Sequence, residues 1–184
     1  MVKDSVFSKA LSTINNGNAA VSLVGELTDN RRATYGSFVK GMWKVGASED
    51  DVTGCEAVIL FAASTIYKIA WKTKDGAKAR PPLKTAQVPV GTPIPATLDD
   101  NPHAQKAISL AAMVFDGAQE FPVRFEGSSR GFINAVKDLA REVAKHDGPG
   151  QFPVVTLGAS SYHHDEFGDV DVPDFVLVRW VAAQ

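Results

Sequence analysis

The chain has 184 residues, 45% of them hydrophobic and 22% charged, so it can bury a core of its own and reads as one domain over residues 1–184. Its formal net charge of −2 excludes a protein that coats duplex DNA by bulk attraction, although local patches still act at short range. No apolar run approaches the ~18 to 20 residues of a membrane-spanning helix, and the start, MVKDSVFSKALSTINNGN, lacks the apolar core of a secretion signal; the expectation is a cytoplasmic protein without membrane contact.

In chain order, Val6, Phe7, Ala10, Leu11 and Ile14 recur at helical spacing and NNGN then stops them, which predicts a short N-terminal helix over residues 4–15. AAVSLVGEL suits a strand, and TYGSFVKGMWKVG reads as a second extended segment with Val39, Trp43 and Val45 on one face and Phe38, Lys40, Met42 and Lys44 on the other. EAVILFAAS is continuously apolar, as in a central strand buried on both faces, and TIYKIAWKTK continues it beyond a turn or bulge near Ser64. The lone cysteine, Cys55, cannot form an intramolecular disulfide and precedes that apolar run, so an inert thiol is expected.

Residues 73–106 are rich in Pro, Gly, Thr and Lys, and a long loop with little regular structure is expected there. AISLAAMVFD and EFPVRFEG, joined by DGAQ, form a hairpin pattern. Phe132, Ile133, Val136, Leu139, Ala140 and Val143 then make one apolar stripe of a helix that Ser128 or Ser129 caps and DGPG ends. FPVVTLGASSY and PDFVLVRWVA are the closing strands, with HHDEFGDVD as an acidic loop between them. Strands, a hairpin, one long late helix and two more strands describe a mainly β, α+β fold, a small Greek-key barrel rather than a parallel βαβ array.

The segment TIYKIAWKTKDGAKARPPLK interleaves Tyr67 and Trp71 with Lys68, Lys72, Lys74, Lys78 and Arg80. Aromatic faces stack on unpaired bases and cationic side chains follow phosphates, so this mixture suits single-stranded nucleic acid. The plain alternative is that the aromatics are core and the lysines line a solvated strand face. Trp43 and Lys40, with Lys44, Arg31 and Arg32, would join the same surface if the strand containing Trp43 paired beside it. Arg124, Arg130 and Arg179 are isolated in sequence and read as surface or ion-paired residues.

His163, His164, Asp165, Glu166, Asp169 and Asp171 are ligand types for a divalent metal, but their spacing matches neither a zinc helix nor an EF-hand, and a polar hairpin loop is the favoured reading. GSSRG at a helix start is a capping sequence and not a P-loop. No catalytic set assembles, and no cofactor is implied.

Residues 20–181 resemble a loosely defined group of phage-encoded single-stranded DNA-binding proteins of OB-fold type. The resemblance is carried by GEL and FVKGMWKVG, by EAVILFAASTIYKIAW, by the Pro-rich stretch, and by the order FPVRFEGSSRGFINAVKDLAREV, FPVVTLGASSY, FVLVRW. It implies an OB-like barrel that binds single-stranded DNA during replication or recombination, as a homo-oligomer or beside replication and recombination proteins. The chain has no cysteine in the Pro-rich stretch and ends in RWVAAQ, two departures from that group's pattern of a cysteine cluster and an acidic tail. Two other readings stay open: a phage structural or assembly protein that oligomerises without nucleic acid, and a metal-dependent hydrolase using residues 163–171.

Overall fold

A computed structural model describes residues 34–73, 75–84, 88–89, 103–147 and 150–182. The helix expected over 4–15, the strand expected over 19–27, and Arg31, Arg32 and Lys74 lie outside the described residues. The strands are β1 (Thr34–Val39), β2 (Met42–Val45), β3 (Asp50–Asp51), β4 (Glu56–Ile59), β5 (Thr65–Lys72), β6 (Lys78–Lys84), β7 (Val88–Pro89), β8 (Ala104–Asp116), β9 (Gln119–Gly127), β10 (Gln151–His164) and β11 (Gly168–Ala182). Helix α1 (Arg130–Ala144) separates β9 from β10.

The strands form one mainly antiparallel sheet in the order β11-β10-β4-β8-β9-β1-β2-β3, with β5 also beside β8 and carrying β6 and β7. It is strongly curled into an open half-barrel. Among the described residues no helix is long and apolar enough to cross a membrane.

Strand β8 is the spine. Its even positions, Ile108, Leu110, Ala112 and Val114, enter the main core with Trp43, Phe125, Leu157 and Phe175, and α1 adds Phe132, Val136 and Leu139. Its odd positions cover the opposite face, where Ala111 and Met113 meet Val58, Leu60 and Val154, and Ala107 meets Tyr67 and Ile69. Burial on both faces is why AISLAAMVF shows no polar alternation. The helix stripe is placed as its spacing requires, and Ser129 caps it by accepting a hydrogen bond from the Phe132 amide at 3.2 Å.

At the middle of β8 the sheet forks. Strand β4 pairs with its C-terminal half and β5 with its N-terminal half. Between them a 3-10 turn at Phe61–Ala63 jogs the chain sideways. Ser64, fully buried, repairs the ladder across the jog: its hydroxyl donates to the Leu60 carbonyl and accepts from the Ala111 amide, both at 2.9 Å.

Three expectations are corrected here. TYGSFVKGMWKV is a tight hairpin rather than one extended segment, because Lys40 (φ 51) and Gly41 (φ 77) both take left-handed backbone, the requirement of a two-residue primed turn. The resulting register pairs Phe38 with Trp43 and Val39 with Met42, so Phe38 joins the core face while Val39 is exposed. Part of 73–106 is ordered as strand: β6 and β7 pair with β5, and the ladder skips from Ala70↔Leu83 to Lys72↔Lys78. That gap leaves the amide-lacking Pro81 and Pro82 outside the paired positions of an edge strand. Finally, HHDEFGDVD is mostly strand, with β10 and β11 paired up to His164↔Gly168 and only residues 165–167 as turn.

Candidate nucleic-acid interface

Residues 65–84 contain six of the chain's 19 Lys and Arg but one of its 21 Asp and Glu, so a chain with a small negative total charge is strongly polarised. The fold gathers these cations on the β5–β6 ribbon. Lys72 and Lys78 are directly opposed Cα partners, and both are exposed, as is Arg80. Lys106 of β8 is the Cα partner of Lys68, whose side chain lies outside the described residues.

Trp71 is 44% exposed. It sits where the β5–β6 ladder is irregular, between the paired Ala70 and Lys72, and the local departure from regular pairing leaves its indole partly in solvent. Aromatic side chains stack unpaired bases and cationic side chains hold phosphates, and this ribbon exposes both kinds.

The other two aromatics expected to stack do not reach this surface. Tyr67 is 2% exposed, packed with Ile69 and Ala107. Burial, and next the negative charge and hydrogen bond of Glu126, hold its phenol well above the ordinary tyrosine value. Trp43 is completely buried at the centre of the main core, with ring centroids of Phe125, Phe175, Phe38 and Phe132 between 4.8 and 6.2 Å away. Its Nε1–H donates to the Gly158 carbonyl at 2.7 Å, so the polar edge of the indole is used inside the fold.

Lys40 is also removed from the ribbon. The strand bearing Trp43 pairs with β1 and β3, and β9 and β8 stand between β1 and β5. Lys40 instead occupies the β1–β2 turn, whose Gly41 lies against the Asp171 carboxylate of β11. Of the nine residues expected to bind nucleic acid, Trp71, Lys72, Lys78 and Arg80 are exposed on the two strands of this ribbon.

Arg124 has a structural role that its isolation in sequence did not suggest. It is 5% exposed, and both terminal nitrogens donate to the Ala63 carbonyl at 3.3 Å while Nη1 reaches Ser109 Oγ at 3.2 Å. It thus ties β9 to the jog that divides β4 from β5. Burial pushes its guanidinium down from its ordinary value, an effect opposed by Tyr35 and Glu126. The signal was present in FPVRFEG, an arginine at a position whose strand neighbours are core. Arg179 is ion-paired as expected, bidentate to Glu56 at 2.9 and 3.2 Å across β10.

On the β10–β11 tip, His163 pairs with Asp169 at 2.9 Å and His164 packs against Phe167 with centroids 4.8 Å apart. Among the described residues no three His, Cys, Asp or Glu side chains converge as a metal site would require. Cys55 is half-buried against the main core.

No family model matches the chain, and no curated protein and no solved structure is significantly similar to it.

Proposed function

We propose that this chain is a non-enzymatic, sequence-tolerant binder of single-stranded DNA, acting in phage-type replication or recombination, with the β5–β6 ribbon as its contact surface. The curled sheet capped by one helix is read here as an OB-like barrel. The observation that carries the proposal is the exposure of the Trp71 indole on the same ribbon as the exposed, Cα-paired Lys72 and Lys78, in the chain's most cationic segment. In this reading Trp71 stacks a base and Lys72, Lys78 and Arg80 hold phosphates, while Trp43 and Tyr67 maintain the scaffold.

Three phosphate contacts give a slope of log affinity against log salt of roughly −2, or about a 16-fold loss between 50 and 200 mM. Titration of oligo-dT at those two salt concentrations, followed by tryptophan fluorescence, tests this. One stacked base contributes ~1–3 kcal/mol, so Trp71→Ala is expected to weaken binding by roughly five- to 150-fold. Binding that is insensitive to salt, or unchanged in Trp71→Ala, would overturn the assignment of the ribbon.

A further inference from the structure

The β10–β11 hairpin continues past the sheet that holds its base. Strand β10 pairs with β4 through Val154, Val155 and Thr156, whereas its ladder with β11 runs on to His164↔Gly168. Beyond Gly158, whose carbonyl accepts from the buried Trp43, residues 159–163 and the turn at 165–167 are all exposed. At ~3.3 Å per residue the strand rises on the order of 25 Å from Thr156 to His164, so the hairpin ends in a projecting arm.

Two properties mark the end of this arm. Tyr162, His164 and Phe167 form a row of rings with centroid separations of 6.5 and 4.8 Å, and Tyr162 and Phe167 are 50% and 69% exposed. Apolar residues exposed singly are ordinary, but grouped at a projecting tip they mark a contact surface. The arm is also acidic. Residues 151–178 hold Asp165, Glu166, Asp169, Asp171 and Asp174 and no Lys or Arg. Asp169 is engaged by His163, but Asp165 and Glu166, exposed in the turn, enter no ion pair among the described residues. Such a tip repels phosphate and attracts a cationic surface.

The chain carries a surface of that kind itself. The β5–β6 ribbon exposes Lys78, Arg80 and the Trp71 indole, and Lys106 is exposed on the neighbouring β8. These three cations enter no ion pair among the described residues. Within one copy the tip is not seated on the ribbon, since Phe167 keeps most of its surface in solvent. We propose that the arm tip of one copy docks on the β5–β6 ribbon of a second copy, with Asp165 and Glu166 set against Lys78, Arg80 and Lys106 and with Phe167 covered by the ribbon. Two copies that each give an arm and receive one close this contact as a two-fold dimer. The contact involves no nucleic acid, so it stands whether or not the ribbon binds DNA.

Sedimentation velocity of the full chain, free of DNA, tests this. At about 0.1 M salt the average mass is expected to rise above that of the monomer over roughly 10–200 µM chain. At about 1 M salt, where the Debye length falls from ~10 to ~3 Å, association is expected to weaken at least about tenfold. Asp165→Lys with Glu166→Lys, and separately Lys78→Glu with Arg80→Glu, are each expected to remain monomeric. An equimolar mixture of the two variants is expected to associate again, because both arm–ribbon contacts between them bring opposite charges together. All four positions are exposed, so these substitutions leave the core intact. Phe167→Ala is expected to weaken association about tenfold or more, the effect of losing one covered aromatic side chain. A parent that stays monomeric at the lower salt, association that salt does not weaken, or a mixture that fails to regain what the separate variants lose overturns the proposal.

Discussion

Of the two tryptophans expected to stack bases, one is buried and one exposed, and that difference has measurable consequences. Trp43→Phe keeps an aromatic ring among the four phenylalanines but removes the Nε1–H that satisfies the Gly158 carbonyl. Leaving a buried acceptor without its donor costs about 1–3 kcal/mol, and the unfilled part of the indole site adds about 1 kcal/mol. A total of roughly 2–4 kcal/mol is a large share of a typical domain's ~5–15 kcal/mol but does not abolish folding. At ~2–4 °C per kcal/mol for a domain of this size, the melting temperature falls by roughly 4–16 °C. Oligo-dT affinity measured well below the transition stays within about twofold, since that indole has no exposed face to offer a base. Trp71→Ala is expected to do the reverse, shifting the melting temperature by under about 2 °C while binding weakens. Calorimetric melting and fluorescence titration of both variants decide the matter. A Trp43→Phe variant that melts with the parent yet loses DNA would refute the reasoning.

Other consequences follow from the fork in the sheet and from two titrating groups. Ser64→Ala removes the hydroxyl that bridges Leu60 and Ala111, and chemical denaturation should show a loss of about 1–3 kcal/mol, with amide exchange fastest around Ala111. Tyr67 has a folded-state pKa raised above its ordinary 10.0, so its contribution is fully present below pH 10 and is lost as pH rises toward the raised value. Stability on an alkaline ramp should therefore fall less steeply in Tyr67→Phe than in the parent. Asp51 is shifted the other way, its carboxylate held below 3.8 chiefly by hydrogen bonds from Thr53. Its contribution is present above pH 3.8 and disappears as pH falls through the lowered value, so the gap in melting temperature between parent and Asp51→Asn should close on acidification.

The parts of this protein legible in its sequence are those whose physics is local. The stripe from Phe132 to Val143 and the serine before it specify α1, because the period of the helix and its orphan amides are properties of neighbouring residues. The hairpin of β8 and β9 follows from two apolar runs around a short turn, and the doubly buried strand from the unbroken EAVIL. Within the candidate site, Trp71, Lys72, Lys78 and Arg80 were readable as a cationic and aromatic run.

Which aromatics of that kind remain in solvent was decided by tertiary structure. Tyr67 and Trp71 are four residues apart with similar neighbours, yet one lies over Ala107 in a continuous ladder and the other at the ribbon's irregularity. Trp43 looked equivalent to both until the left-handed turn at Lys40 and Gly41 folded its strand back and aimed it at Phe125 and Phe175. Backbone periodicity determines which side of an element a residue occupies, but burial depends on what the rest of the chain brings to that side, and that requires contacts between residues far apart in sequence.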